Sequence, residues 1–191
     1  MERQRPPIAT LLPATLLGAF LALALLVGPG ASTAAAAGCP GSDAGPRKIS
    51  NETAARAIVC LVNKERRRHG LGRLKFHGEL ERAARGHTKR MQKRDCFDHV
   101  CPGERSLVGR YEKADYLPCR CSWGAGENIA WGAGRKGSPR RIVNAWMHSP
   151  PHRANILRGS FQHAGVGVRW GSPTRRGANA GTYTLDFGYK R

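Results

Sequence analysis

Acid is what this chain has little of. Its 191 residues carry 13 Asp and Glu against 32 Lys and Arg, a formal net charge of +19. A surplus that large calls for an anionic neighbour, whether a phosphate-rich envelope polymer, an acidic lipid or nucleic acid. The basic residues are scattered, however, as in Arg66-Arg67-Arg68, Lys93-Arg94, Arg140-Arg141 and Arg175-Arg176. No recognition helix and no ladder of aromatic and basic residues appears, so nucleic acid is argued against. Cys-x2-Cys spacing is missing, which excludes a thiolate zinc knot. There is no nucleophile elbow and no zinc-protease helix motif. The alternation of strand and helix that builds a parallel sheet is absent as well.

One long apolar run is present, over residues 8–27, behind Arg3 and Arg5. Small residues follow, with Ala35 and Ala37 in the positions that precede export cleavage. Residues 1–37 therefore read as a signal peptide, residues 38–49 as a Gly/Pro/Ser-rich linker, and residues 50–191 as the domain, with no transmembrane helix in the mature chain. The expected location is secreted. Ala36-Ala37-Gly38-Cys39 also resembles a degraded lipoprotein signal, which would lipidate Cys39 and leave an odd thiol. All six cysteines, Cys39, Cys60, Cys96, Cys101, Cys119 and Cys121, follow the leader. An even number in an exported chain reads as disulfides. Cys119 and Cys121 are expected to pair back to Cys96 and Cys101, leaving Cys39 with Cys60 and stapling the loop around His99.

The hydrophobic period predicts a helix from Ser50 or Asn51 to about His69, with Gly70 as its stop, and a second from Gly78 to about Arg94. His87 lies on the apolar side of the second helix and reads as a satisfied core histidine. Residues 95–137 show no clear long element, and Trp-Gly-Ala-Gly occurs twice there, so two glycine-kinked extended segments are expected around Glu127. Ser138-Pro139 opens a third helix, and His152 to Leu157 gives one or two further turns. Gly165 to Trp170 and Thr182 to Tyr189 read as two strands, paired antiparallel. Helices early and strands late indicate an α+β fold.

Candidate chemistry sits in two stretches and one tripeptide. Gly126-Glu127-Asn128-Ile129-Ala130 places an acid in a glycine-flanked loop. Trp146-Met147 leads through Ser149-Pro150-Pro151-His152-Arg153-Ala154-Asn155 to Gly165-Val166-Gly167. Phe97-Asp98-His99 supplies a second histidine. Together with Leu61-Val62-Asn63, Arg66 and Leu80, these landmarks resemble, in order and spacing over residues 54–189, the CAP superfamily of cysteine-rich secretory proteins in its bacterial secreted, SCP-like form. The resemblance implies an α-β-α sandwich with a central antiparallel sheet and a large cleft lined by His99, Glu127 and His152. Ser149 stands where animal and plant members carry a second acid.

Three readings of that trio compete. His99 and His152 could bind a divalent metal such as zinc, with Glu127 as ligand or acceptor. The trio could serve a metal-dependent hydrolase or protease, or Ser149 could form a dyad with His152. Or it could hold loops together while the cleft binds a lipid or an anionic cell-envelope polymer. The binding reading is preferred, metal binding ranks second, and catalysis is placed last.

Overall fold

The structure is a computed structural model, and it describes residues 38–174, 177 and 179–191. The expected leader over residues 1–37 and the Arg175-Arg176 pair lie outside the described residues. Helix α1 spans Asn51–Arg68, and the Ser50 side chain caps it by accepting from the Thr53 N–H at 3.0 Å. Helix α2 spans Gly78–Lys93 and α3 spans Leu107–Lys113. Helix α4, Pro139–Met147, carries proline in its first turn, where a missing N–H costs nothing, and α5 follows at Pro150–Ile156.

The sheet has the order β1-β3-β4-β2. Its strands are β1 Lys75–Phe76, β2 Trp123–Ala133, β3 His163–Trp170 and β4 Ala180–Lys190. β3 and β4 pair antiparallel, as do β2 and β4, while the short edge strand β1 runs parallel to β3. The sheet is therefore antiparallel except at that edge. Alternate residues of β4 serve opposite faces, because the side-chain period of a strand is two. Tyr183, Leu185 and Phe187 join residues of α1, α4 and α5, among them Ile58, Trp146 and Ile156, in the larger core. Leu80 and Ala83 of α2 pack with Tyr111 of α3 in a smaller one. The result is the α-β-α sandwich.

Glycine decides how closely α2 approaches. A Cβ on Gly165 would lie 2.1 Å from the Glu81 nitrogen, and one on Gly167 would lie 2.4 Å from the Ala84 carbonyl. The Thr88 hydroxyl then reaches Thr184 of β4 at 2.8 Å. On the other face, Asn63 exchanges two hydrogen bonds with the backbone of Leu74. Buried Arg66 donates to the carbonyls of Gly72, Ile156, Arg158 and Phe161, which ties α1 to the end of α5. Residues 38–49 are held at both ends of this layer, by the Cys39–Cys60 bridge to α1 and by Asp43 paired with Arg140 of α4.

Two expectations are corrected here. The stretch around Glu127 is one eleven-residue strand, not a loop with two kinked segments. Pairing with β4 along its whole length supplies the order that its glycine-rich sequence does not. The remaining cysteines bridge locally, Cys96 to Cys101 and Cys119 to Cys121. The chain folds back at Arg120 enough to bring the Cys119 and Cys121 Cα atoms to 5.2 Å, inside the usual disulfide range. The Cys96–Cys101 bridge closes a small loop that contains His99.

Candidate functional site

Glu127 projects from β2 toward the α2 and α3 layer, with its side chain 2 % exposed. Its neighbour Gly126 faces the other way, where an added Cβ would lie 2.8 Å from the Phe161 ring. That contact explains the glycine beside the acid. One carboxylate oxygen of Glu127 meets His99 Nδ1 at 2.7 Å, and the other accepts from Arg110 at 2.5 Å. Arg110 comes from α3 and is itself 6 % exposed. It also donates to the carbonyl of His99 at 2.8 Å. One guanidinium thus fixes both the acid and the backbone of the histidine.

Behind Glu127 lies a second layer of ionisable groups. His87 is fully buried, with Nδ1 at 2.8 Å from Glu104 and Nε2 at 3.8 Å from Glu127. Asp186 pairs with Glu127 across β2 and β4. It is fully buried; among the described residues no N–H or O–H of another residue reaches its oxygens, and the side chain at hydrogen-bonding range is the Glu127 carboxylate, which Asp186 meets by keeping its own proton. Burial, and then the negative charge of Glu127, push the Asp186 carboxyl well above the usual carboxylate range. Burial acts on Glu127 in the same direction, but the hydrogen bond with His99 and the positive field of His87, Arg110 and His99 outweigh it, so its carboxyl sits below the usual value.

His99 is half exposed, at 53 % of its side chain. Its hydrogen bond to Glu127 raises its pKa above the ordinary histidine value, against the opposing effect of burial. His152 sits in the first turn of α5, where its Nδ1 meets Ser149 Oγ at 2.8 Å. Burial lowers its pKa, and the charge of His99 lowers it further. The backbone carbonyl of His152 accepts from Asn128, and Asn155 donates to the carbonyl of Glu127, so α5 is stitched to the strand that carries the acid. The structure thus joins His99 to Glu127 directly, while His152 is linked to the pair through the charge of His99 and the backbone ties of α5 to β2.

The comparisons with known proteins agree with this architecture. A family model described as the cysteine-rich secretory protein family, CAP, matches residues 59–186. The chain belongs to the cysteine-rich secretory protein family. Among curated relatives of this CAP chain, the uncharacterized protein YkwD of Bacillus subtilis is 37 % identical over 110 residues, which is 58 % of this chain and 40 % of that protein. The chain spans about two fifths of the length of the curated relatives it matches. Among solved structures, an extracellular SCP-domain protein from Bacillus anthracis is 26 % identical, with a TM-score of 0.57 over 73 % of this chain and 43 % of that one. An outer surface protein from Borrelia burgdorferi is 19 % identical, with a TM-score of 0.62 over 76 % of this chain and 99 % of that one, and it supports the CAP fold alone.

The donor set fits a metal poorly. His99 Nδ1 and His152 Nδ1 are engaged by Glu127 and Ser149, so each ring offers only Nε2. Both oxygens of Glu127 are committed as well. Among the described residues, no three His, Cys, Asp or Glu side chains form a group that could hold a metal ion. Sequence reasoning missed Arg110, Glu104 and Asp186; His87, read as a satisfied core histidine, is buried with Nδ1 held by Glu104. Asp186 carried a usable signal, since it alternates with Leu185 and Phe187 in a strand covered on both faces. Arg110 carried none, because the short helix that presents it had no readable period.

Proposed function

We propose that this CAP-domain protein is secreted and binds an anionic envelope ligand, a lipid or a wall polymer, in the cleft around His99 and His152, without catalysing a reaction. One observation carries the reading: both oxygens of Glu127 are consumed by His99 and Arg110. A carboxylate held that way orients a cation and is not a free general base for a water. His99 is half exposed, and its hydrogen bond to Glu127 lets it keep its proton to higher pH than an ordinary histidine, so it offers a donor to an anion. The net charge of +19 would draw such ligands in. The extracellular description of the Bacillus anthracis neighbour favours the location, as does the leader-like residue 1–37 segment. Among the described residues no helix is long and apolar enough to cross a membrane.

The test is sedimentation of the purified protein with envelope preparations. Binding should weaken as salt rises and as pH climbs through the titration of His99. It should fall in His99→Ala and His152→Ala. Binding unchanged in both variants would remove the cleft from the account. Product release from a peptide, ester or wall substrate that Glu127→Gln abolishes would instead establish the hydrolytic reading. Zinc binding heat that both histidine variants lose would establish the metal reading.

A further inference from the structure

A separate cavity of about 370 Å³ opens between α2, α3 and residues 103–105. It falls at the small end of the range for small-molecule pockets, roughly 300–1,000 Å³. Arg82 and Arg90 line it from α2, Arg105 from the loop, and Arg110 and Lys113 from α3. The only acid among its lining residues is Glu104, whose carboxylate is already held by His87 and by the Cys101 N–H at 3.2 Å. Arg82 has a loose partner in Asp115 at 3.5 Å. Among the described residues no carboxylate pairs with Arg90, Arg105 or Lys113. Like charges gathered at one mouth repel one another, and an anion would relieve that cost.

A second observation points the same way. Arg110 is almost wholly buried in the cavity wall, yet its Nε–H has no acceptor. A buried donor without a partner costs free energy, and an anion on the same cavity wall would offset part of that cost through its field. Guanidinium groups match phosphoryl oxygens in a way lysine alone does not, and four of the five cations here are arginines.

We infer that this cavity is a binding site for a phosphate ester, distinct from the His99–His152 cleft. The ester is held at the rim by Arg105, Lys113 and Arg90, with the buried Arg110 guanidinium adding its charge from the wall. It is a reading separate from the cleft, although Arg110, His87 and Glu104 line the cavity and also surround Glu127.

The test uses the purified protein with glycerol 1-phosphate as the free ester, and vesicles of phosphatidylglycerol against phosphatidylcholine as the lipid source. Arg105→Ala with Lys113→Ala removes two exposed rim charges, and Arg56→Ala with Arg68→Ala, on exposed positions of α1, makes the same change in net charge elsewhere. The rim variant should weaken binding by roughly tenfold for each charge-assisted hydrogen bond lost, and the control much less. The Arg110 Nε–H resonance should shift on saturation. Binding to the free ester assigns a soluble source and binding to phosphatidylglycerol vesicles alone assigns a headgroup, and both support the site. Equal losses in the rim and control variants, an unmoved Arg110 resonance, or no binding to either probe would overturn it. His152→Ala should leave this binding intact. If it abolishes ester binding, the cavity inference fails while the cleft reading stands.

Discussion

Arg110→Met should be among the most damaging single changes in the protein, and its damage should depend on pH. The methionine keeps much of the side-chain length and removes the charge. Arg110 faces Glu127 at 2.5 Å with both side chains almost fully buried, and Glu104 lies 4.0 Å away. Asp186 sits behind them against Glu127, with no other donor among the described residues. At an effective dielectric of about 20, opposite charges roughly 4 Å apart attract by about 4 kcal/mol. Breaking a buried pair from one side typically costs about 3–5 kcal/mol, because the remaining charge is stranded. The lost hydrogen bond to the His99 carbonyl adds to that. For a domain of this size the loss corresponds to a fall in Tm on the order of 10 °C. Urea and thermal unfolding, followed by circular dichroism with the disulfides intact, measure it. The sign of the pH effect follows from Glu127, whose folded-state pKa is depressed. Its stabilisation is present above the unfolded carboxylate value, about 4.3, and is lost as pH falls through the folded value. The gap between wild type and variant should therefore be full at neutral pH and close in acid. A cost below about 1 kcal/mol, or a gap independent of pH, would refute the reasoning.

Asp186→Asn should stabilise the protein by about 1–3 kcal/mol at neutral pH, because the amide supplies a donor toward Glu127 where the acid needs a proton. Asp186 has a raised pKa, so its contribution is whole at low pH and is lost as pH rises through the folded value; the advantage of Asn should vanish in acid, and a pH-independent loss in unfolding experiments would contradict it. In an NMR titration His99 should show a pKa above 6.5, and Glu127→Gln should bring it down; an unchanged midpoint would deny that Glu127 sets it. Gly167→Ala should cost about 3 kcal/mol or more by driving α2 from the sheet. Gly72→Ala, where nothing lies within 4 Å of an added Cβ, should leave Tm nearly unchanged and serves as its control.

The long elements were legible because each has a periodic apolar face and a local signal at its end. Ser50 caps α1, Pro139 opens α4, and Tyr183, Leu185 and Phe187 alternate along β4. Strand β2 was hidden because its glycines carry no side-chain period, and its order comes from β4. Helix α3 was hidden because seven residues interrupted by Gly109 are too short for a helical pattern to show. The Cys119–Cys121 bridge was misread because proximity in sequence suggested an extended chain, whereas the backbone folds back between them.

The candidate site divides along the same line. By itself the sequence determined the fold class and the family, and it nominated His99, Glu127 and His152, since motif order and hydrophobic period are properties of the chain. The tertiary structure alone decided what surrounds Glu127. Arg110, His87, Glu104 and Asp186 arrive from three elements and a loop, and no spacing along the chain records that convergence. The physical reason is that a buried charge is governed by whatever the fold packs against it. Here the packing commits both oxygens of Glu127, sets the Asp186 carboxyl against that acid with no other donor among the described residues, and gathers basic side chains around a cavity.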